Sequence, residues 1–372
     1  MGVLMDRPLR IAICGTYGIP ARYGGFETCV EETATRLARR GHRVEVFCPR
    51  PLGGTAPAQH RGVHLRYNPS VRTKHLATLT QTALAVAKCV RERPNVAHVY
   101  IVGNAPLLAL LRAARVPCVV SVDGMEWRRA KWGTGAKAYM RLCERLAASL
   151  AGELIVDSQV VSDYYASRYG RPGEYAPYGT FTDAPRGPSP LDRFGLRPRG
   201  YVLFVGRLTP EKNVHQLVAA FEAVETDLQL AIVGDDPFSR DYVAALKRNR
   251  DPRVCFLGYV YGDEALHLFA SAYLYVTASG LEGTSPALLT AMGQGCCALV
   301  NGIAENRETL GEAGRAYSEN DLSDLKRQLQ FLLDRPDVVA RYGRLARLRA
   351  QQVYDWDLVT DTLERVYRRV AR

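Results

Sequence analysis

Residues 279–295 read S-G-L-E-G-T-S-P-A-L-L-T-A-M-G-Q-G. Small residues open the stretch, a single acid follows at Glu282, and Gly283, Thr284, Ser285 and Pro286 make a turn. From Ala287 to Met292 the pattern becomes apolar and helical. Ser285 at the N-cap with Pro286 in the first turn is a helix-start signal. A helix beginning there points its first amides, and the positive end of its dipole, past Gly283 and Thr284. That arrangement suits an anion, and a diphosphate above all. An ordinary loop entering a core helix has the same pattern, so the other segments decide between the two.

A chain of 372 residues is long enough for two domains with full cores. Its charge is lopsided. Residues 1–186 hold 26 Lys and Arg against 14 Asp and Glu, and the rest of the chain holds 23 against 24. A basic first half favours an anionic partner there, such as lipid headgroups, a lipid diphosphate or nucleic acid. Compositional drift towards Arg would give the same count. Nine cysteines are scattered without a C-x-x-C pair, as expected of reduced core thiols in a cytoplasmic protein. The start lacks the apolar run of a secretory signal, and the apolar tract over 106–122 is broken by Arg112 and Arg115. Membrane contact, if made, is expected to be peripheral.

Residues 9–14 (L-R-I-A-I-C) predict a strand, followed by G-T-Y-G-I-P-A-R-Y-G-G-F-E and a helical pattern over 27–40. Strand, glycine loop and helix form the first unit of a doubly wound sheet, with a ligand crevice at the strand's carboxyl end. The glycines are not spaced as G-x-G-x-x-G, and no acid closes the next strand, which argues against a dinucleotide site. Further strands are expected over 63–67, 96–101, 117–122 and 153–156, with helices over 75–91, 104–114 and 136–150. Residue 123 ends a buried strand as D-G-M-E-W-R-R-A-K-W-G. Asp123 and Glu126 lie where sites are built or where a helix is capped. Trp127 and Trp132 among Arg128, Arg129 and Lys131 fit either a packed helix with a solvated face or an acceptor or membrane face.

Residues 179–200 hold four prolines and four glycines, as in an interdomain linker. The second half restarts with Y-V-L-F-V-G-R-L-T-P-E-K-N, a strand turning into a helix. Arg207 and Lys212 leave that turn together, beyond Gly206. Asp235 and Asp236 follow the next strand without the D-x-D spacing of a metal pair, and Tyr259 lies in the loop G-Y-V-Y-G-D-E. After residue 319 the pattern is helical to the end, with Trp356, Val359, Leu363, Val366, Tyr367 and Val370 on one stripe.

Four of these segments, in this order, resemble retaining GT-B glycosyltransferases of family 4 (group 1). The loop G-T-Y-G-I-P-A-R-Y-G-G-F-E is similar to that of a bacterial, rhamnosyltransferase-like subgroup. D-G-M-E-W-R-R-A-K-W is similar to a segment of the same subgroup. Arg207 and Lys212 match the family's G-R-x-x-x-x-K element. Residues 282–295 match E-G-x-x-x-x-x-x-E-A-M-x-x-G, except that Thr290 replaces the second acid. The resemblance implies two Rossmann-like, doubly wound parallel-sheet α/β domains facing a cleft. The acceptor domain would cover residues 1–182, the nucleotide-sugar domain 183–355, and a last helix over 356–372 would cross back to the first domain.

The resemblance also implies a hexosyltransferase. A hexose or deoxyhexose would pass, with retention, from a nucleotide diphosphate sugar to a hydroxyl of a glycan or lipid-linked acceptor in polysaccharide, exopolysaccharide or glycolipid assembly. Arg207 and Lys212 would neutralise the departing diphosphate, together with the amides of Gly24 and Gly25 and the helix at Pro286. Glu282 would hold sugar hydroxyls, and Asp123 would lie near the reacting sugar. Gly206, Gly283, Thr284, Ser285, Thr290 and Tyr259 would contact the donor. Glu126, Trp127, Arg128, Arg129, Lys131 and Trp132 would face the acceptor or an anionic inner-membrane surface. No metal and no other cofactor is expected, nor nucleic acid, for which no recognised module is present. A sugar-nucleotide epimerase of the same fold, or a degenerate nucleotide-sugar-binding partner subunit, are the alternatives.

Overall fold

The structure is a computed structural model and describes residues 7–21, 24–50, 56–69, 77–122, 124–125, 127, 133–248 and 251–372. The chain divides into two units, one of Met1–Tyr178 with Trp356–Arg372 and one of Gly179–Asp355. In the first, the strands are β1 (Arg10–Cys14), β2 (Arg43–Pro49), β3 (Gln59–His60), β4 (Val63–Asn68), β5 (Val96–Tyr100), β6 (Cys118–Val122), β7 (Glu153–Val156) and β8 (Glu174–Tyr175). They form one sheet in the order β3-β4-β2-β1-β5-β6-β7-β8. All pairs are parallel except β3 with β4. Central strands such as β5 (V-A-H-V-Y) and β6 (C-V-V-S-V) are buried throughout, because helices cover both faces.

Those helices are α1 (Gly25–Arg39), α2 (Ala77–Glu92), α3 (Leu108–Ala113), α4 (Thr134–Leu150) and α5 (Gln159–Tyr169). One core lies under α2 to α5, around Val86, Leu108, Leu111, Ala147 and Val161. The second lies on the other face, under α1, around Val30, Ala34 and Leu37. Ser158 caps α5 by accepting from the Val161 amide at 3.2 Å. The helix expected over 104–114 is instead a 3-10 segment, Val102–Leu107, running into α3. Pro106 inside it has no amide to donate to an α-helical ladder.

The second unit holds β9 (Tyr201–Val205), α6 (Val214–Glu222), β10 (Gln229–Val233), α7 (Arg240–Leu246), β11 (Val254–Gly258), α8 (Gly262–Ser271), β12 (Leu274–Thr277) and α9 (Pro286–Gly293). Then come β13 (Ala298–Asn301), α10 (Ala304–Leu310), β14 (Arg315–Tyr317), α11 (Leu322–Leu333) and α12 (Pro336–Val353). The strand order is β11-β10-β9-β12-β13-β14, all parallel. From β9 the chain winds one way through β10 and β11. It then returns on the other side of β9 through β12 to β14. The β9/β12 pair is therefore the topological switch point, where open α/β sheets bind ligands beyond the carboxyl ends of the strands.

Residues 179–200 are not a free linker. Leu191 and Leu196 are buried, Thr180 bridges to Asp355, and the Arg199 amide donates to Ser271 at 2.7 Å. Prolines and glycines here shape a segment that packs within the second unit, and the junction lies between Tyr178 and Gly179.

The last helix, α13 (Trp356–Val370), belongs to the first unit. Its stripe of Trp356, Val359, Leu363, Val366 and Tyr367 is buried, each large side chain contributing ~1.5–3 kcal/mol before chain entropy is charged against it. A buried polar chain fixes its register. His98 on β5 bonds through Nδ1 to the Tyr367 hydroxyl at 2.6 Å and through Nε2 to Ser121 at 2.8 Å. Burial keeps His98 neutral, its pKa lowered to about 3. The nine cysteines are free thiols, and all but the half-buried Cys255 are buried.

Candidate functional site

The site is built at the switch point of the second unit. β9 is followed by Gly206 and Arg207, and Pro210–Lys212 forms a 3-10 turn. Asn213 then takes a left-handed conformation, φ 51°, before α6 begins. On the neighbouring strand, β12 runs into residues 278–285 and α9 starts at Pro286. Hydrogen bonds tie these two loops together. Asn213 Nδ2 donates to the Ala278 carbonyl at 3.1 Å, and the Gly280 amide donates to the Glu211 carbonyl at 3.0 Å. Lys212 Nζ pairs with the Glu282 carboxylate.

Below them, buried Asn301 donates to the Ser279 carbonyl at 3.1 Å and to Asn320 Oδ1 at 2.9 Å. The Asn320 amide donates back to Asn301 Oδ1 at 2.9 Å. Gly280 fits between these asparagines, since a Cβ there would lie 3.2 Å from both Asn213 Nδ2 and Asn320 Oδ1. A side chain there would press on both amide groups, which would have to give way.

The geometry brings Gly206, Arg207, Lys212, Glu282, Gly283, Thr284 and Ser285 to one edge of the sheet. Arg207 is exposed, and its guanidinium has no ion pair or hydrogen bond with any described residue. Ser285 stands at the N-cap of α9 but its hydroxyl makes no capping bond, so the amides of the first turn are not capped by their own side chain. Thr290 lies one turn further along α9, half-buried, and donates to the Pro286 carbonyl at 2.8 Å. Tyr259 is not in this group. It is exposed at the end of β11, stacked on Tyr261 with centroids 5.8 Å apart. With Asp235, Asp236 and Lys247 it lines a hollow of about 480 Å³. Asp235 is held there by Lys247 at 2.9 Å, which lowers its carboxyl pKa. No group of three or more described His, Cys, Asp or Glu side chains is placed to hold a metal ion.

In the first unit, the loop after β1 is held by acids of α1. Glu27 accepts from the Tyr17 amide at 3.0 Å, and Glu31 accepts from the Ala21 amide at 2.6 Å. Burial raises the Glu27 pKa, against the lowering effect of the Tyr17 bond. Gly24, at φ 106°, precedes α1, and a Cβ there would collide with the Glu27 carboxylate. Gly25 is the first residue of the helix. Trp127 is half-buried, with the Arg141 guanidinium 4.3 Å from its ring centroid. Asp123, Glu126, Arg128, Arg129, Lys131 and Trp132 lie outside the described residues.

Sequence reasoning missed Asn213, Asn301 and Asn320, which shape the loops through bonds to Ala278, Ser279 and each other. Only Asn213 had a local signal, an Asn directly before a helix start.

Two family models match the chain. One, described as a glycosyl transferase 4-like domain, covers residues 24–179; the other, described as glycosyl transferases group 1, covers residues 199–335. A glycogen synthase of Mycobacterium tuberculosis is 26% identical over 385 residues, across 94% of this chain and 92% of that protein. The solved sucrose-phosphate synthase of Thermosynechococcus elongatus aligns with a TM-score of 0.82 at 21% identity, over 97% of this chain and 99% of that one. Anabaena HepE, solved in complex with UDP and glucose, aligns with a TM-score of 0.77 at 19% identity, over 96% and 98%. Identities at this level in the two structures speak for the fold.

Proposed function

Because the chain belongs to the group 1 glycosyltransferases and has their GT-B fold, we propose that it moves a hexose or deoxyhexose, with retention, from a nucleotide diphosphate sugar to a hydroxyl of a glycan or lipid-linked acceptor. The reading is carried by one observation. Arg207, Lys212, Glu282 and the start of α9 meet beyond the β9/β12 switch point.

Cleavage of the anomeric C–O bond leaves the electron pair on the β-phosphate oxygen. Positive groups already in place stabilise that growing charge more than they stabilise the bound donor. Arg207 has no competing partner among the described residues and meets the phosphate first; Lys212 meets it on release from Glu282. The first-turn amides of α9 add the fixed field of a helix end. Glu282 accepts from donor-sugar hydroxyls. The acceptor hydroxyl attacks from the face the phosphate leaves, and its proton passes to the leaving phosphate oxygen. No protein nucleophile is needed, and the arrangement does the work that a divalent cation does in other transferases. The finer placement, in the rhamnosyltransferase-like subgroup, is part of this proposal and rests on the likeness of residues 15–27 and 123–132, of which 22, 23, 123, 126 and 128–132 lie outside the described residues.

The test is Arg207→Ala, assayed with a panel of UDP-, GDP- and dTDP-sugars and a lipid-diphosphate acceptor. Loss of one such donor lowers turnover by about 10²-fold or more. Near wild-type turnover in a folded variant would remove Arg207 from the mechanism.

A further inference from the structure

The two helical layers of the first unit differ in charge. On one face of the sheet, α1 and α13 carry five bases and six acids, so their charges nearly balance. Arg36 pairs with Glu32 and Asp357, Arg368 with Glu364, and Arg40, just beyond α1, with Asp361 and Glu364. On the other face, α2, α3 and α4 carry six bases and two acids. Of those acids, Glu144 is buried, receiving the hydroxyls of Tyr164 at 2.9 Å and Tyr169 at 3.0 Å. Glu92 is taken by Arg66 at 2.7 Å. Arg112, Lys137 and Arg145, and Arg115 just beyond α3, form no ion pair with any described residue.

Apolar exposure follows the same division. Six large apolar side chains are exposed in the described part of this unit, and four belong to the basic layer: Leu84 at 41%, Leu110 at 52%, Leu142 at 53%, and Tyr139. The layer has its own core beneath it, so these leucines are not needed for the fold. Leu142 and Arg145 share one face of α4 at i and i+3. Leu110 and Arg112 are both exposed on α3, on either side of the buried Leu111. Unpaired guanidinium groups beside outward leucines match a surface that is anionic at its face and apolar just beneath. That is the make-up of an anionic bilayer rather than of a nucleic acid or a soluble glycan. No described helix is long and apolar enough to cross a membrane, so contact of this kind lies in the interface.

We infer that the α2–α3–α4 layer docks on an anionic lipid bilayer, with Leu110 and Leu142 entering the headgroup region and Arg112, Arg115 and Arg145 on the lipid phosphates. The inference takes its purpose from the proposed lipid-linked acceptor. Its test is independent, because vesicle binding is read without donor sugar and transfer to a soluble acceptor is read without vesicles.

The experiment is co-sedimentation of the full chain with vesicles of phosphatidylcholine alone or mixed with phosphatidylglycerol, at low and high salt. The wild type should favour the mixed vesicles by at least about tenfold and lose that preference at high salt. Exchange of Arg112, Arg115 and Arg145 for Gln should lower partitioning by about 100-fold. Leu110→Ser with Leu142→Ser should weaken the binding that survives high salt. Arg39→Gln with Arg365→Gln, on the opposite layer, should change nothing. Circular dichroism and turnover with a soluble acceptor confirm that each variant folds. Equal binding to both vesicle types, binding to neither, or binding to heparin but not to vesicles would overturn the inference. Equal loss in the Arg39 and Arg365 variant would overturn the assignment to this layer.

Discussion

Glu282→Gln separates two roles that the pair with Lys212 combines. Both side chains are largely buried, Lys212 17% and Glu282 11% exposed, so water screens their attraction little. Two unit charges about 4 Å apart attract by about 4 kcal/mol at an effective permittivity near 20, and desolvation of both groups offsets much of this. A nucleoside diphosphate arriving at the site must draw Lys212 away from Glu282 and also approach a carboxylate. Gln keeps the shape and a hydrogen bond but removes the negative charge. Affinity for the free nucleoside diphosphate should then rise by about tenfold, or about 1.4 kcal/mol. Turnover of the nucleotide sugar should fall by about 10- to 100-fold, because a charge-assisted bond to the sugar, worth about 1.5–3 kcal/mol, is lost. Calorimetric titration of UDP, GDP and dTDP reads the first effect, and coupled detection of diphosphate release reads the second. Unchanged or weaker diphosphate binding in a folded variant would refute the reasoning, because Lys212 would then not be the group that Glu282 withholds.

Thr290→Glu restores the second acid of the motif that residues 282–295 resemble, which is proposed to hold the ribose. Its side chain no longer returns to the Pro286 carbonyl, and nucleoside diphosphate affinity should tighten by about tenfold in calorimetry; unchanged affinity would place the ribose elsewhere. Tyr367→Phe leaves His98 Nδ1 buried without its partner and should destabilise the first unit by about 1–3 kcal/mol in urea unfolding. His98 has a pKa near 3 when folded against an ordinary value of 6.5, so the unfolded chain binds the extra proton. Stability should therefore be complete above about pH 6.5 and fall as the pH drops towards 3, a trend that His98→Asn should flatten.

The sheets were readable where local chemistry set them. Residues 154–156 and 201–205 are short apolar runs of the kind that a strand covered on both faces accommodates. The strands β3, β8 and β14 have two or three residues each, too few to show a period. The stripe ending in Arg368 and Arg369 marked a packed terminal helix, and the structure assigns it to the first unit. Its lock on His98 was not readable, because the partners lie 269 residues apart. At the site, Arg207, Lys212 and Glu282 stood out as charges at strand ends. That Lys212 and Glu282 bond each other depends on β9 and β12 being neighbours, a property of the sheet order and not of either segment. Asn301 and Asn320 beneath the loop were hidden for the same reason. The segment over 179–200 misled because proline and glycine mark turns equally in a linker and in a packed loop.

The central claim is retaining transfer from a nucleotide sugar at the β9/β12 edge. Proton NMR of the reaction as it runs, with the panel's preferred donor, a hydroxyl acceptor and EDTA, tests it most directly. The account predicts nucleoside diphosphate release matched by one new glycoside, whose first-formed anomeric proton has the donor's configuration. An inverted anomer, an epimerised sugar formed without acceptor, or strict dependence on a divalent cation would contradict it.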